Sequence, residues 1–314
     1  MSDLATPSPK IAVVICTHNR DQYLGAAIDS VLHQNFEDYE VVVIDNASTD
    51  NTRAVVEERL PNCPKLRYVH EPKLGLNVAR NRGAQETNSP IIAYFDDDAM
   101  APPEWLDAIC QAFQKNEKLG VAGGKVHLIW PEGYTRPDWL SDNLAGNLGA
   151  YDLGEQEQNI DNPNFTPRGL NYCIRRAALE DVGGFALNLD RVGKNLLSNG
   201  ELFMTELVLK KGWQVAYLPD AEVGHRVSEE RLQQGWYVRR GWWQGISECY
   251  REQLAGQAGW GQLPRAGERI VRGFYKSLKH WHDPAMRFDN FVYAYGQFGY
   301  LKAAVTGIIQ GKHQ

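Results

Sequence analysis

The chain has 314 residues, 43% of them hydrophobic and 23% charged, enough to bury a large core in one domain or two. A formal net charge of −6 excludes the basic footprint of a nucleic-acid binder. Cys16, Cys63, Cys110, Cys173 and Cys249 are scattered and odd in number, so a disulfide framework is not expected and a reducing, cytoplasmic setting is. Residues 1–9 are polar and Pro-rich, lack the apolar core of a signal peptide, and read as a loose tail. No uninterrupted apolar run is long enough to span a bilayer.

Residues 10–16 read as a first strand, apolar on both faces, which stops at Thr17-His18-Asn19-Arg20. Helical spacing over 23–34 places Leu24, Ala27, Ile28, Val31 and Leu32 on one side. A second buried strand over 40–44 stops at Asp45-Asn46-Ala47-Ser48-Thr49-Asp50, and a helix over 52–60 comes next, capped by Asp50 or Asn51. A strand over 66–70 and a helix over 75–87 lead to the apolar run Ile91-Ile92-Ala93-Tyr94-Phe95, which ends in Asp96-Asp97-Asp98. Such alternation predicts an α/β fold with a mostly parallel sheet covered by helices on both faces. Three adjacent carboxylates cannot sit inside a strand, because burying unpaired charge costs several kcal/mol or more. They belong at the strand's C-terminal end, the edge where open α/β sheets bind ligands. Asp96 and Asp98, at alternate positions, can face one hard cation, Mg²⁺ or Mn²⁺.

The other strand ends open on that edge too. Thr17, Asn19 and Asp45 supply small polar groups and a carboxylate suited to a nucleotide. Gly-x-Gly-x-x-Gly, the P-loop and His-Glu-x-x-His are all absent, so phosphate charge would fall to a metal ion. Beyond the triplet, a helix starting at Pro102-Pro103 and a strand over 120–130 are expected. Residues 134–165 are polar and Gly/Asn-rich, a long loop with Trp139 and Tyr151 whose faces suit sugar rings or core packing. A further strand is expected over 213–218.

Four segments in order resemble the family 2 glycosyltransferases: Ile15-Cys16-Thr17-His18-Asn19-Arg20, Val43-Ile44-Asp45-Asn46-Ala47-Ser48-Thr49-Asp50, Gly75-Leu76-Asn77-Val78-Ala79-Arg80-Asn81-Arg82-Gly83, and Asp96-Asp97-Asp98. The resemblance runs over residues 10–226, about two thirds of the chain. It implies a GT-A (Rossmann-like) fold, a nucleotide-diphosphate sugar donor and a divalent metal, Mn or Mg. It implies that Thr17, Asn19 and Asp45 hold base and ribose, that Arg80 lies near base or diphosphate, that Asp96 and Asp97 lie near ribose and metal, and that Asp98 ligates the metal. Arg20 and Asn77, within the same motifs, join the nucleotide-sugar contacts. Asn171, in the segment before Val182-Gly183-Gly184-Phe185, falls on the acceptor side, and Trp139 is grouped with it.

The family carries two adjacent acids on a later helix, the second being the catalytic base. This chain has only Glu201, eleven positions before Gly212, with Gly200 in the first acid's place. The resemblance makes Glu201 the base and brings His225 to the metal and diphosphate. Those roles describe an inverting single displacement onto a hydroxyl acceptor, a saccharide or lipid-linked saccharide, in polysaccharide, lipopolysaccharide or glycolipid synthesis. Uridine diphosphate is the favoured nucleotide. A metal-dependent nucleotidyltransferase and a non-catalytic binder of the same fold are the competing readings. The catalytic domain is expected over 10–227. From 228 to 314 the composition turns to helices rich in Trp, Tyr and Arg, with a Gly-rich break over 255–267 and an apolar stretch over 288–309. This C-terminal helical region either lies on a membrane surface, making the enzyme peripheral at the inner face, or packs on the catalytic domain or in a homodimer.

Overall fold

The structure, a computed structural model, describes residues 9–193, 195–257 and 262–310. The tail expected over 1–9 lies outside the described residues but for residue 9, as do residues 258–261 of the Gly-rich break and the last four residues. In chain order the elements are β1 (Ile11–Thr17), α1 (Asp21–Leu32), β2 (Tyr39–Asp45), α2 (Thr52–Glu57), β3 (Leu66–His70), α3 (Leu76–Gln85), β4 (Ile91–Asp96), β5 (Ala99–Met100), α4 (Trp105–Lys115) and β6 (Leu119–Ile129). Then come α5 (Asp142–Ala145), β7 (Gln158–Asn159), β8 (Asn171–Arg175), α6 (Arg176–Val182), α7 (Gly200–Lys210), β9 (Gln214–Arg226), α8 (Gln234–Leu254), α9 (Leu263–Lys279) and α10 (Pro284–Gln310).

The strands form one mixed sheet in the order β3-β2-β1-β4-β8-β6-β9-β5, with β7 beside β9. β1, β2 and β4 are apolar on both faces and almost wholly buried, as strands between two helical layers must be. The parallel reading holds within β3-β2-β1-β4, where each adjacent pair runs the same way. β8 instead pairs antiparallel with both β4 and β6, and β5 and β7 pair antiparallel with β9. Register aligns the strand ends: Thr17 lies opposite Asp45, Cys16 opposite Asp96, and Asp45 opposite His70. Antiparallel pairing places Ala99 opposite His225, so the last long strand ends beside the Asp triplet.

The chain divides into two compact units, Met1–His127 with Tyr151–Ala186 and Glu201–His225, and Leu128–Ala150 with Leu187–Gly200 and Arg226–Gln314. The first holds the main apolar core, from β1 and β2 through the fully buried Trp105 of α4 to Tyr172 and Tyr217. The cap of α2 is provided by Asp50, which accepts the Thr52 amide at 3.0 Å, while the Asn51 side chain makes no capping bond. The second unit gathers α8, α9 and α10 around aromatic contacts. Gly296 and Gly299, which interrupt the apolar pattern of α10, are packing positions. A Cβ on Gly299 would strike the Trp242 backbone of α8, and one on Gly245 would strike the Gly296 carbonyl, so the two helices meet backbone to backbone. Among the described residues no helix is long and apolar enough to cross a membrane.

Candidate active site

The ends of β1 and β2 are stitched together by their own side chains. Asn19 adopts a left-handed backbone (φ 54°), which Asn tolerates, and its Oδ1 accepts the Thr49 amide at 2.7 Å. The Asn19 amide donates to Ser48 Oγ at 3.0 Å. Asp45 is buried. Its Oδ1 accepts the Ser48 amide at 2.9 Å, and its Oδ2 accepts the Tyr68 hydroxyl at 2.6 Å. Burial, then this bond, pushes the Tyr68 hydroxyl pKa up, so Tyr68 is a firm donor that fixes the carboxylate.

The triplet sits one strand further along. Asp98 is buried, with Oδ1 3.0 Å from His225 Nε2 and Oδ2 3.5 Å from Arg20 Nη2. Asp97 Oδ1 lies 4.0 Å from Arg20 Nε. Burial and the neighbouring Asp98 push Asp97 up to about 7, against the pull of Arg20 and the buried Thr17 hydroxyl. Burial and Asp98 also hold Asp96 above the usual carboxylate range, with Arg80 and His225 opposing. Burial works against the Arg20 cation, but Asp97 and Asp98 outweigh it and raise its pKa. Arg20 also lies over the Tyr23 ring at 5.3 Å.

Across from the triplet lies a second charged pair. Arg80, on α3, is buried and donates from Nη2 to Glu201 Oε1 at 2.7 Å. Burial disfavours its cation, but Glu201 and Asp96 more than compensate and raise its pKa. Asp96 therefore acts electrostatically on both the Asp98–His225 pair and the Arg80–Glu201 pair. The Arg80 guanidinium lies over the Phe185 ring at 5.1 Å. Phe185 is held by the turn that contains it: its amide donates to Asn81 Oδ1 at 2.8 Å, and Asn81 Nδ2 returns a bond to its carbonyl at 2.9 Å. Asn77 donates to the Ala186 carbonyl at 2.9 Å and accepts from Arg80 Nη1 at 3.4 Å. A Cβ on Gly169 would collide with Glu201 Oε1 and Arg80 Nη2, so only glycine lets the backbone come this close to the pair.

The structure thus brings Thr17, Arg20, Asp96, Asp97, Asp98 and His225 together by direct or electrostatic contact, and ties Asn77, Arg80 and Glu201 into the adjoining pair. It places two expected acceptor-side residues otherwise. Asn171 is fully buried and accepts from Trp105 Nε1 at 3.0 Å while donating to the Ala221 carbonyl at 2.7 Å, so its amide is spent inside the core. Trp139 packs edge-on against Tyr237 and Phe288, each at 5.2 Å, in the second unit. Sequence reasoning missed Arg168, which lies over the Tyr151 ring at 5.2 Å, interacts electrostatically with Glu201, and has a buried Nε with no hydrogen-bond partner among the described residues. The signal was present, since Arg168 immediately precedes Gly169-Leu170-Asn171.

Among the described residues no three carboxylate, imidazole or thiol groups converge as a metal cage. Asp98 and His225 are in direct contact, and Asp96 interacts electrostatically with both. The donor chemistry still fits a divalent ion. Carboxylates raised by burial and mutual repulsion call for positive charge, and the oxygen and imidazole of Asp98 and His225 lie together.

Known proteins share this architecture. A mannosyltransferase of Pyrobaculum calidifontis, solved in complex with GDP-Man and Mn2+, aligns with a TM-score of 0.58 at 18% identity, covering 96% of this chain and 74% of that one. The shared fold is GT-A. The chain is similar to a glucosyl-dolichyl phosphate glucuronosyltransferase of Haloferax volcanii, 25% identical over 254 residues that cover 79% of either chain. It is also similar to the succinoglycan biosynthesis protein ExoM of Rhizobium meliloti, 27% identical over 237 residues, 73% of this chain and 71% of the relative. The model of glycosyl transferase family 2 matches residues 12–183, more than half of the sequence, and the chain belongs to that family.

Proposed function

We propose that the protein is an inverting, metal-dependent glycosyltransferase that moves a sugar from a nucleoside-diphosphate donor to a hydroxyl of a saccharide or lipid-linked saccharide. The observation that carries this reading is the Arg80–Glu201 pair set beside Asp96 at the ligand edge of the sheet. The relatives support the acceptor class, one being named for a dolichyl phosphate sugar and one for succinoglycan synthesis. Five scattered cysteines, odd in number, favour a reducing setting on the cytoplasmic side in this reading.

In this reading Asp45, held by Ser48 and Tyr68, presents a fixed carboxylate to base or ribose, with Thr17 and Asn19 beside it. Asp98 and His225 would hold the divalent ion, with Asp96 close by. That ion would supply positive charge to the diphosphate leaving group. Arg20 adds a second cation on the same side. Glu201 accepts the proton of the attacking hydroxyl, and the Arg80 guanidinium both orients it and favours the ionised form a base needs. No second carboxylate nucleophile is required, so attack from the opposite face inverts the anomeric centre.

Two measurements test the reading together. Calorimetry with uridine diphosphate should show binding that needs Mn²⁺ and weakens with chelator or in Asp98→Asn. Turnover of Glu201→Gln should fall by about 10²–10⁴-fold with donor binding retained. Release of pyrophosphate in place of transfer would establish the nucleotidyltransferase, and donor binding without any transfer the non-catalytic binder. Equal turnover of wild type and Glu201→Gln would remove Glu201 from the chemistry.

A further inference from the structure

α9 is amphipathic in an inverted sense. Its small and aromatic residues Ala266, Gly273 and Phe274 turn inward, and a Cβ on Gly273 would strike Ala294 of α10. The outward face is apolar as well. Val271, Tyr275 and Leu278 are 70%, 65% and 70% exposed, and Trp281, in the turn beyond the helix, is 61% exposed. The three helical positions, at i, i+4 and i+7, draw one line along the helix, and Trp281 follows in the turn. Single exposed apolar residues are ordinary, but three large ones in line, with an exposed Trp just beyond them, mark an interaction surface.

Each of the last three is followed by a basic or imidazole side chain: Lys276, Lys279 and His282, with Arg272 after Val271. α9 carries five Lys and Arg against one acid, Glu268, which pairs with Arg272 at 3.6 Å. The helix is therefore net +4 in a chain that is net −6. Arg287 lies over the Trp281 ring at 5.2 Å and adds another cation at that end. A row of Val, Tyr, Leu and Trp with cations beside it matches an interfacial helix: the rings and aliphatic chains enter the headgroup layer while the long basic stems reach its phosphates.

We propose that α9 and the turn after it are the protein's docking surface for an anionic lipid membrane. The inference rests on the lipid-linked acceptor of the proposed function, and adds the surface that brings the enzyme to it. A second copy of the chain fits this face poorly. An isologous dimer would bring two helices of net charge +4 together, and so narrow a row of side chains falls short of the roughly 1,200 Å² a stable interface buries. Anionic lipid supplies the opposite charge along the whole row.

The test is flotation of the full chain with phosphatidylcholine vesicles, with and without about one quarter phosphatidylglycerol. Wild type should float with the anionic vesicles, and less so at high salt. Leu278→Asp should lower the bound fraction at least about tenfold, because it places a like charge and removes apolar insertion. Lys276→Gln/Lys279→Gln should lower it on anionic vesicles only. All these side chains are exposed, so circular dichroism should be unchanged. Donor hydrolysis in the absence of vesicles should also stay at the wild-type rate, which separates loss of docking from failure of the glycosyltransferase reading. Wild type that never floats, or Leu278→Asp that floats equally, overturns the proposal. A concentration-dependent dimer abolished by Leu278→Asp, with no vesicle binding, would assign the face to a second copy instead.

Discussion

Glu201 and Arg80 are 121 positions apart, yet Gly169 presses its backbone against both. The contact atoms are the ends of two side chains, which can move, so Gly169→Ala should fold and displace the pair. A displacement near 1 Å at a catalytic group costs about 10²-fold in rate. The expected outcome is a kcat lowered to that extent, with a melting temperature within a few degrees of wild type; an unchanged kcat would show that the pair tolerates the shift. The placement of single residues was legible where chemistry announced itself, as with three adjacent carboxylates that no strand interior can hold. It was not legible where the role depends on a distant partner. The resemblance put Asn171 on the acceptor side, but the fully buried Trp105 needs an acceptor for its indole N–H and takes it. Asn77 likewise serves a backbone carbonyl across a long sequence separation.

Among the elements, α1 and the end of α2 are joined by a fork-like ion pair. Arg59 donates from Nε and Nη2 to the two oxygens of Asp29 at 2.7 and 2.9 Å. The bond from Arg59 holds the Asp29 pKa below the ordinary aspartate value of 3.8, against a smaller opposing effect of burial. The pair therefore stabilises the fold above the unfolded-state pKa and loses that contribution as pH falls through the folded-state value. Asp29 is half exposed, so solvent screening limits the effect to about 0.5 kcal/mol. Denaturant midpoints of wild type and Asp29→Asn should differ at neutral pH and converge below about pH 3; a gap that persists in acid would assign the loss to packing. The same elements show how sequence patterns are read. β1, β2 and β4 were visible because strands buried on both faces are continuous apolar runs. β8 was hidden because Asn171 and Arg175 bound a short stretch. β9 was legible only to Leu218, because Pro219 and Asp220 interrupt a strand of 13 residues. Leu140, Leu144 and Leu148 recur every four residues in a polar stretch, a buried face that its Gly and Asn content obscured.

At the scale of the whole molecule, two units with separate apolar cores should not melt as one two-state system. Calorimetry is expected to show two overlapping transitions. Because the proposed nucleotide and metal contacts all belong to the first unit, uridine diphosphate with Mn²⁺ should raise only one of them, by about 2.7 kcal/mol at a hundredfold excess over Kd. A single transition that shifts as a whole would show that the units unfold together. The sequence boundary at 227 falls beside the end of the first unit, but nothing in composition marked residues 128–150 and 187–200 as partners of the C-terminal helices. The path of the chain carries a further consequence. It passes from one unit to the other five times, and His225 is the last residue of the first unit to emerge during synthesis. The cluster of Asp98 and His225 therefore cannot be assembled on a nascent chain that has not yet been extended through β9, and no single protease cut can release either unit intact.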